Sequence, residues 1–252
     1  MKKEISFKNN KGQTLMGDLY IPENKYKLKF PTVIVCHGIG GNKDEYNKVD
    51  LAETLYNEGF IALKFDFAGR GKSEGKFEDI TLSQQATEIS SAIDAAYSLP
   101  QVDKKEIGLV GHSFGGSAAI MAATKDRRIK SLVTISAAYD KTKAIKILVG
   151  TQGFKNWKKN GVAGMRLNDR KENIKYTFWE DVMKHNMLSY IKRIKIPFLV
   201  VHGEKDKLIG VNQAKAIAKA ANAQLRIASD EGHAFNKKSI KFIIDWFKKT
   251  LR

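Results

Sequence analysis

The sequence predicts an α/β fold: a mostly parallel central sheet, helices on both of its faces, and one helical insertion. Three observations point to it. Short apolar runs alternate with segments of helical periodicity over most of the 252 residues. From Pro31 onward those runs lack the apolar–polar alternation of a half-exposed strand, as expected of strands covered on both faces. One stretch, residues 141–195, interrupts the order. Strand–helix–strand repeats of this kind close as right-handed crossovers, which makes the sheet parallel.

The elements follow in order. Glu4–Phe7 and Thr14–Ile21 alternate around Asn9-Asn10-Lys11-Gly12, the pattern of a β-hairpin. Buried-type strands are then expected at Pro31–Cys36, Phe60–Phe65, Ile107–Val110, Leu132–Ile135, Pro197–His202 and Gln224–Ala228. Between them, Asp50–Glu58 places Leu51, Leu55 and Tyr56 on one helical face. Thr81–Leu99 spaces Leu82, Ala86, Ile89, Ile93 and Ala96 likewise, opened by Thr81 with Gln84 as a capping box. Phe114–Ala123, Asn212–Ala221 and Ser239–Leu251 repeat the pattern.

Residues 141–195 show no strand and are too long for an ordinary connection, so an insertion with its own helices is expected there. The core is then 1–140 with 196–252. The insertion holds fourteen Lys/Arg against four acids, +10 of the chain's +17. It also holds Trp157, Tyr176 and Trp179, which could line an acyl or aryl pocket while the local charge draws in anionic substrates. The competing expectation is that the aromatics pack the insertion and the lysines face water.

Composition excludes several classes. Apolar residues at 42%, charged residues at 28% and four prolines describe a globular chain rather than a disordered one. No apolar run approaches the roughly 20 residues that cross a bilayer. The two lysines of Met1-Lys2-Lys3 have no apolar stretch behind them, so no secretory leader is expected. The single cysteine, Cys36, excludes an intramolecular disulfide and a cysteine-built zinc site. The expected address is a reducing cytoplasm. Despite the charge, the basic residues are dispersed, no block of five like charges occurs, and no nucleic-acid-binding signature is present.

The chemistry concentrates at Gly111-His112-Ser113-Phe114-Gly115-Gly116, between a strand and an Ala-rich helix. Gly-x-Ser-x-Gly in that setting makes a sharp turn that holds a serine hydroxyl above the sheet at a helix amino end. A serine needs a base, and the base needs an orienting carboxylate. His37, His112, His185 and His202 compete with His233, which lies in the loop between the last strand and the last helix. In an open parallel sheet that loop shares the carboxyl edge with Ser113. Asp206, after the strand ending at His202, reaches the same edge, with Glu204 and Asp230 as rivals. The order Ser113, Asp206, His233 is the one such a sheet uses. His37-Gly38-Ile39-Gly40-Gly41 offers backbone donors, so the N–H groups of Ile39 and Phe114 are the expected oxyanion hole. Phe65–Ser73 has a Gly-x-Gly look without a dinucleotide fingerprint, and Asp66 and Arg70 there read as organisers of a loop beside the site.

With these parts in this order, the chain resembles the α/β-hydrolase family over essentially its whole length. It is most similar to small serine esterases of the cinnamoyl and feruloyl esterase type. The carrying residues are His37-Gly38-Ile39, Phe65–Asp79, Gly111–Gly116, Gly203–Asp206 and Gly232-His233. The resemblance implies an α/β-hydrolase fold with 141–195 as a cap, and ester hydrolysis through an acyl-enzyme. It also implies a small-molecule ester substrate and no cofactor or metal. Peptidase, amidase and thioesterase activity use the same catalytic set, and a non-catalytic binding protein is the rival from another class. A homodimer is left open.

Overall fold

The computed structural model describes residues 1–23, 28–167 and 170–251. Its strands are β1 (Lys2–Lys8), β2 (Thr14–Tyr20), β3 (Phe30–Cys36), β4 (Ile61–Phe65), β5 (Val102–His112), β6 (Ile129–Ile135), β7 (Val162–Leu167), β8 (Arg170–Lys175), β9 (Phe198–Gly203) and β10 (Gln224–Ala228). The helices are α1 (Tyr46–Asn57), α2 (Leu82–Tyr97), α3 (Ser113–Ala123), α4 (Thr142–Val149), α5 (Thr151–Asn160), α6 (Tyr176–Lys184), α7 (Met187–Arg193), α8 (Val211–Ala221) and α9 (Lys237–Thr250).

The opening hairpin pairs Phe7 with Leu15. Its turn closes on Asn9, whose Oδ1 accepts from the N–H groups of Lys11 and Gln13, while Gly12 adopts a φ of +76°. This hairpin forms the antiparallel edge of a sheet ordered β1-β2-β4-β3-β5-β6-β9-β10, parallel from β4 onward. Successive residues of β3 explain its unbroken apolar run. Val33 and Val35 pack with Leu51 and Leu55 of α1 and with Ile243 and Phe247 of α9. Ile34 and Cys36 face the other way, into a cluster with Ile89 and Ile93 of α2, Ala118 of α3 and Ile217 of α8. Both faces of the sheet are therefore core, and both contribute apolar burial at roughly 25 cal/mol per Å².

Two local expectations need correction. Thr81 caps α2 by accepting the Gln84 N–H at 3.0 Å, but the Gln84 side chain bonds Asn10 and Glu88 instead of completing the box. Within 141–195, β7 and β8 form an antiparallel hairpin that the sequence reading did not anticipate. The reason is visible in its burial: Ala163, Met165 and Leu167 point inward along β7, whereas β8 (Arg-Lys-Glu-Asn-Ile-Lys) buries only Ile174. A strand with a single inward apolar side chain carries no periodic signal. Among the described residues, no helix is long and apolar enough to cross a membrane.

This hairpin covers the loop after β3. A Cβ on Gly40 would lie 2.7 Å from Leu167 Cδ2, and Glu172 pairs with Arg70 at 2.7 Å.

Candidate active site

β5 ends at His112 and α3 begins at Ser113, and the change of direction is concentrated in one residue. Ser113 has a φ of +54°, a left-handed conformation that a side chain adopts only where the surroundings enforce it. The glycines make the enforcement sterically feasible. A Cβ on Gly115 would stand 2.1 Å from the His37 carbonyl oxygen, and one on Gly111 2.5 Å from the Gly115 carbonyl oxygen. The turn is thus pressed against the end of β3.

The loops after β9 and β10 meet in the same way. A Cβ on Gly203 would fall 2.1 Å from the Gly232 carbonyl oxygen, and the Lys205 N–H donates to the Glu231 carbonyl at 2.8 Å. That contact brings Asp206 and His233 together across 27 residues of sequence. Asp206 Oδ2 is 2.8 Å from His233 Nδ1, and His233 Nε2 is 2.9 Å from Ser113 Oγ. A carboxylate accepts only, so Nδ1 carries the ring proton and Nε2 presents its lone pair to the serine hydroxyl.

The Asp206 side chain is fully buried. Its Oδ1 accepts from the N–H groups of Leu208 and Ile209, each at 2.9 Å. Burial alone would raise its pKa. Hydrogen bonds from His202 and His233, with the Ile209 amide, outweigh that and hold the carboxyl well below its ordinary range. The rivals are placed elsewhere: Glu204 is exposed, and Asp230 forms an exposed pair with Lys205.

The remaining histidines have other partners. His37 lies 2.8 Å from the Gly38 carbonyl through Nδ1 and accepts the Phe67 N–H at Nε2, 3.1 Å away. Burial, opposed by the Gly38 bond and reinforced by Lys48 and Arg70, lowers its pKa to about 3, so it stays neutral. His112 Nε2 donates to the His233 carbonyl at 2.8 Å, and its Nδ1 accepts from the Lys48 ammonium at 3.1 Å. His112 therefore steadies the backbone at His233. His202 Nε2 is 2.7 Å from the Ile209 carbonyl, which requires a proton there, and that N–H also lies 3.4 Å from Asp206 Oδ2. His185 meets Ser83 at 2.7 Å, but the Ser83 hydroxyl donates to Asp181 at 2.6 Å, so this cluster ties α2 to α6 without activating a nucleophile.

Ile39 and Phe114 both line the cavity that contains Ser113. Phe114 is the second residue of α3, so its N–H has no intrahelical acceptor. The Ile39 N–H has no acceptor among the described residues. Arg70 holds the loop that carries Ile39, donating to the carbonyls of Gly40 and Gly41 while pairing with Glu172. Asp66 braces the other side, accepting from the N–H groups of Lys43 at 2.6 Å and Lys72 at 3.0 Å.

The cavity, about 360 Å³, is walled by Ala138, Ile145, Leu148, Leu167, Leu208 and Ile209 around Ser113. Trp157, Tyr176 and Trp179 do not line it, and this corrects the expectation that they would. Trp157 is fully buried with Nε1 bonded to the Ile174 carbonyl, and it packs on Phe154, Tyr176 and Phe178. Trp179 stacks edge-on to Phe154, and Phe178 reaches Phe114 at 5.2 Å. These rings pack the 141–195 segment behind the turn at Ser113. The wall residues were legible in one respect: Ile145 and Leu148 share a face of α4 at helical spacing, one turn beyond Lys141, which also lines the cavity. Among the described residues, no group of three His, Cys, Asp or Glu side chains is arranged to hold a metal ion.

The profile of the BD-FAE family matches residues 17–221. Among solved structures, Est1E from Butyrivibrio proteoclasticus with bound ferulic acid superposes with a TM-score of 0.82 at 27% identity, covering 97% of this chain and 96% of that one. Among curated proteins, the uncharacterised protein PA2218 of Pseudomonas aeruginosa is 32% identical over 144 residues, 57% of this chain and 38% of its own. The mitochondrial palmitoyl-protein thioesterase ABHD10 of Homo sapiens is 26% identical over 200 residues, 77% of this chain and 63% of its own. The first curated relatives are longer proteins, of which this chain spans about two fifths.

Proposed function

The chain belongs to the BD-FAE family and has the α/β-hydrolase fold, and we propose that it is a serine hydrolase that cleaves carboxylic esters through an acyl-enzyme. One observation carries the reading: His233 stands between Ser113 and Asp206, at 2.9 and 2.8 Å, at the edge of an apolar cavity.

In this reading Ser113 Oγ attacks the ester carbonyl while His233 Nε2 takes the hydroxyl proton. Asp206 stabilises the imidazolium through Nδ1–H, and the N–H groups of Ile39 and Phe114 receive the negative oxygen. The alcohol departs with the proton from His233. Water, deprotonated by the same nitrogen, then attacks the acyl carbonyl and restores the serine. The 141–195 segment serves as a cap, since Leu167 and Glu172 bear on the loop that carries Ile39. A cytoplasmic setting and a small-molecule substrate belong to the same proposal. Thioester cleavage is the second reading, favoured by the similarity to a palmitoyl-protein thioesterase.

The test is fluorophosphonate labelling followed by a panel of acyl esters, acyl thioesters and aminoacyl anilides. Stoichiometric labelling of Ser113 and ester turnover are expected, with Ser113→Ala abolishing the label and lowering kcat by a factor on the order of 10⁶. Near-normal ester hydrolysis in that variant overturns the proposal. A thioester turned over at least tenfold faster than its oxygen ester would favour the second reading.

A further inference from the structure

Four lysines are buried among the described residues: Lys43, Lys48, Lys64 and Lys141. Three of them have carboxylates. Lys43 pairs with Asp18 at 3.2 Å and Asp44 at 2.9 Å, Lys64 with the same two acids, and Lys48 with Glu45 at 2.8 Å. Taking an ammonium out of water costs several kcal/mol, and these partners offset it.

Lys141 has no such partner. It is 6% exposed, and no carboxylate lies within 4.0 Å of it and no acceptor bonds it among the described residues. Its sequence neighbour Asp140 bonds the Thr142 N–H at 2.9 Å, capping the start of α4. Yet Lys141 lines the cavity that holds Ser113, beside Ala138, Ala144, Ile145 and Leu148. A second cation, Arg166, sits at the rim of the same cavity, exposed and without an ion pair among the described residues. Burial lowers the Lys141 pKa to about 7, with only Asp140 opposing it. The carboxylate in the cavity lining, Glu45, is engaged by Lys48 at 2.8 Å, so the Lys141 ammonium, set among Ala138, Ala144, Ile145 and Leu148, has no protein anion paired with it among the described residues.

We propose that Lys141 is the counter-ion for a carboxylate on the substrate, so that the enzyme prefers esters carrying a carboxylate at the far end of a hydrocarbon segment. The proposal rests on the serine-hydrolase reading for the bond that is cleaved, and adds the class of molecule that carries it. The hydrocarbon portion fits against Ile145 and Leu148, and the carboxylate displaces no existing partner when it reaches the ammonium. Lys141 is a specificity-determining residue here and takes no part in bond cleavage.

The experiment compares p-nitrophenyl monoesters of adipate, pimelate and suberate with hexanoate, heptanoate and octanoate esters, covering a carboxylate on the acyl side. Acetyl esters of 4-hydroxybenzoate and of its methyl ester cover the alcohol side. For at least one pair, kcat/KM is expected to favour the anionic ester by roughly 30-fold or more, the scale for losing one member of a desolvated charge pair. Lys141→Met should remove that preference, Lys141→Arg should retain part of it, and Lys143→Gln, an exposed neighbour, should leave the ratio unchanged. A binding readout independent of turnover is the Tm rise given by the free dicarboxylate, expected for the native chain and absent in Lys141→Met. Equal kcat/KM within every pair overturns the proposal, as does an equal fall of the ratio in Lys143→Gln, which would make the effect one of diffuse surface charge. If neutral esters are hydrolysed and Ser113 is labelled while no pair shows a preference, the lysine proposal falls alone. If no ester is hydrolysed, it falls with the reading beneath it.

Discussion

Replacing Asp206 by Asn tests the proposed hold of its carboxylate on His233 while leaving the cavity walls unchanged. The two amides that hold Oδ1, from Leu208 and Ile209 at 2.9 Å, will hold the oxygen of the introduced amide equally well. The NH₂ group then takes the place of Oδ2 and faces His233 Nδ1, 2.8 Å away. Two donors cannot share that contact, so Nδ1 becomes an acceptor and the ring proton moves to Nε2. Nε2–H now points at Ser113 Oγ across 2.9 Å and cannot take the hydroxyl proton. The wrong tautomer costs about 10⁴ in kcat when geometry is otherwise kept, equivalent to about 5.5 kcal/mol of barrier. KM should stay within about threefold, because no cavity wall changes. The assay is steady-state hydrolysis of a short p-nitrophenyl ester, with Asp230→Asn and Glu204→Gln as controls that retain activity. A loss below about 100-fold in Asp206→Asn, or an equal loss in Asp230→Asn, refutes the assignment of the acid.

Three further outcomes follow from the same geometry. Gly115→Ala drives a Cβ to within 2.1 Å of the His37 carbonyl oxygen. With overpacking at about 3 kcal/mol and 2–4 °C per kcal/mol for a chain of this size, Tm should fall by about 6 °C or more, and an unchanged Tm by calorimetry would contradict the packing described. The preference for a carboxylate-bearing ester should strengthen as pH falls through about 7 and fade above it, because the Lys141 amine must be protonated to bind an anion. Glu45, Lys48, Arg166, His112 and His233 share the cavity, but a ratio of anionic to neutral kcat/KM cancels any effect common to both esters, so a pH-independent ratio counts against this. Cys36 is buried, and burial pushes its thiol pKa up, so an aromatic disulfide reagent at pH 8 should react with the chain only after unfolding in guanidinium.

The parallel strands and the helices against them were readable because each obeys one periodicity. Val33 and Ile34 are both apolar since both faces of β3 are covered, and Ile243 and Phe247 recur at helical spacing since one face of α9 is. The meeting of Ser113, Asp206 and His233 was readable for a different reason: the β–turn–α context limits which loops reach the edge where Ser113 sits, and the chain order then selects among the five histidines. What failed to show was whatever depends on packing between distant segments. The β7–β8 hairpin carries too few inward apolar residues on β8 to signal a strand. Trp157 looked like a pocket residue because aromatic composition does not say which way a ring points. It is buried because Phe154, Tyr176 and Phe178 close around it and Ile174 accepts its indole N–H.

Lys141 is the opposite case. In sequence it is one of fourteen basic residues in a strongly charged stretch, and the ordinary fate of such a lysine is solvent. Only the fold distinguishes it: α4 turns Ala144 and Ile145 into the interior, and Lys141, one turn earlier, is carried in with them. A lysine carried in by accident of register would cost stability with nothing to offset it, since Lys43, Lys48 and Lys64 show that this chain supplies carboxylates to its other buried ammonium groups. Lys141→Met, which keeps an unbranched chain one atom shorter and loses the charge, should therefore raise Tm in the absence of ligand by relieving the desolvation. The native chain should overtake it when a dicarboxylate is added. A variant that is less stable than the native chain with and without the anion would mean that Lys141 is held by an interaction within the protein, and the substrate would then have no charge to answer.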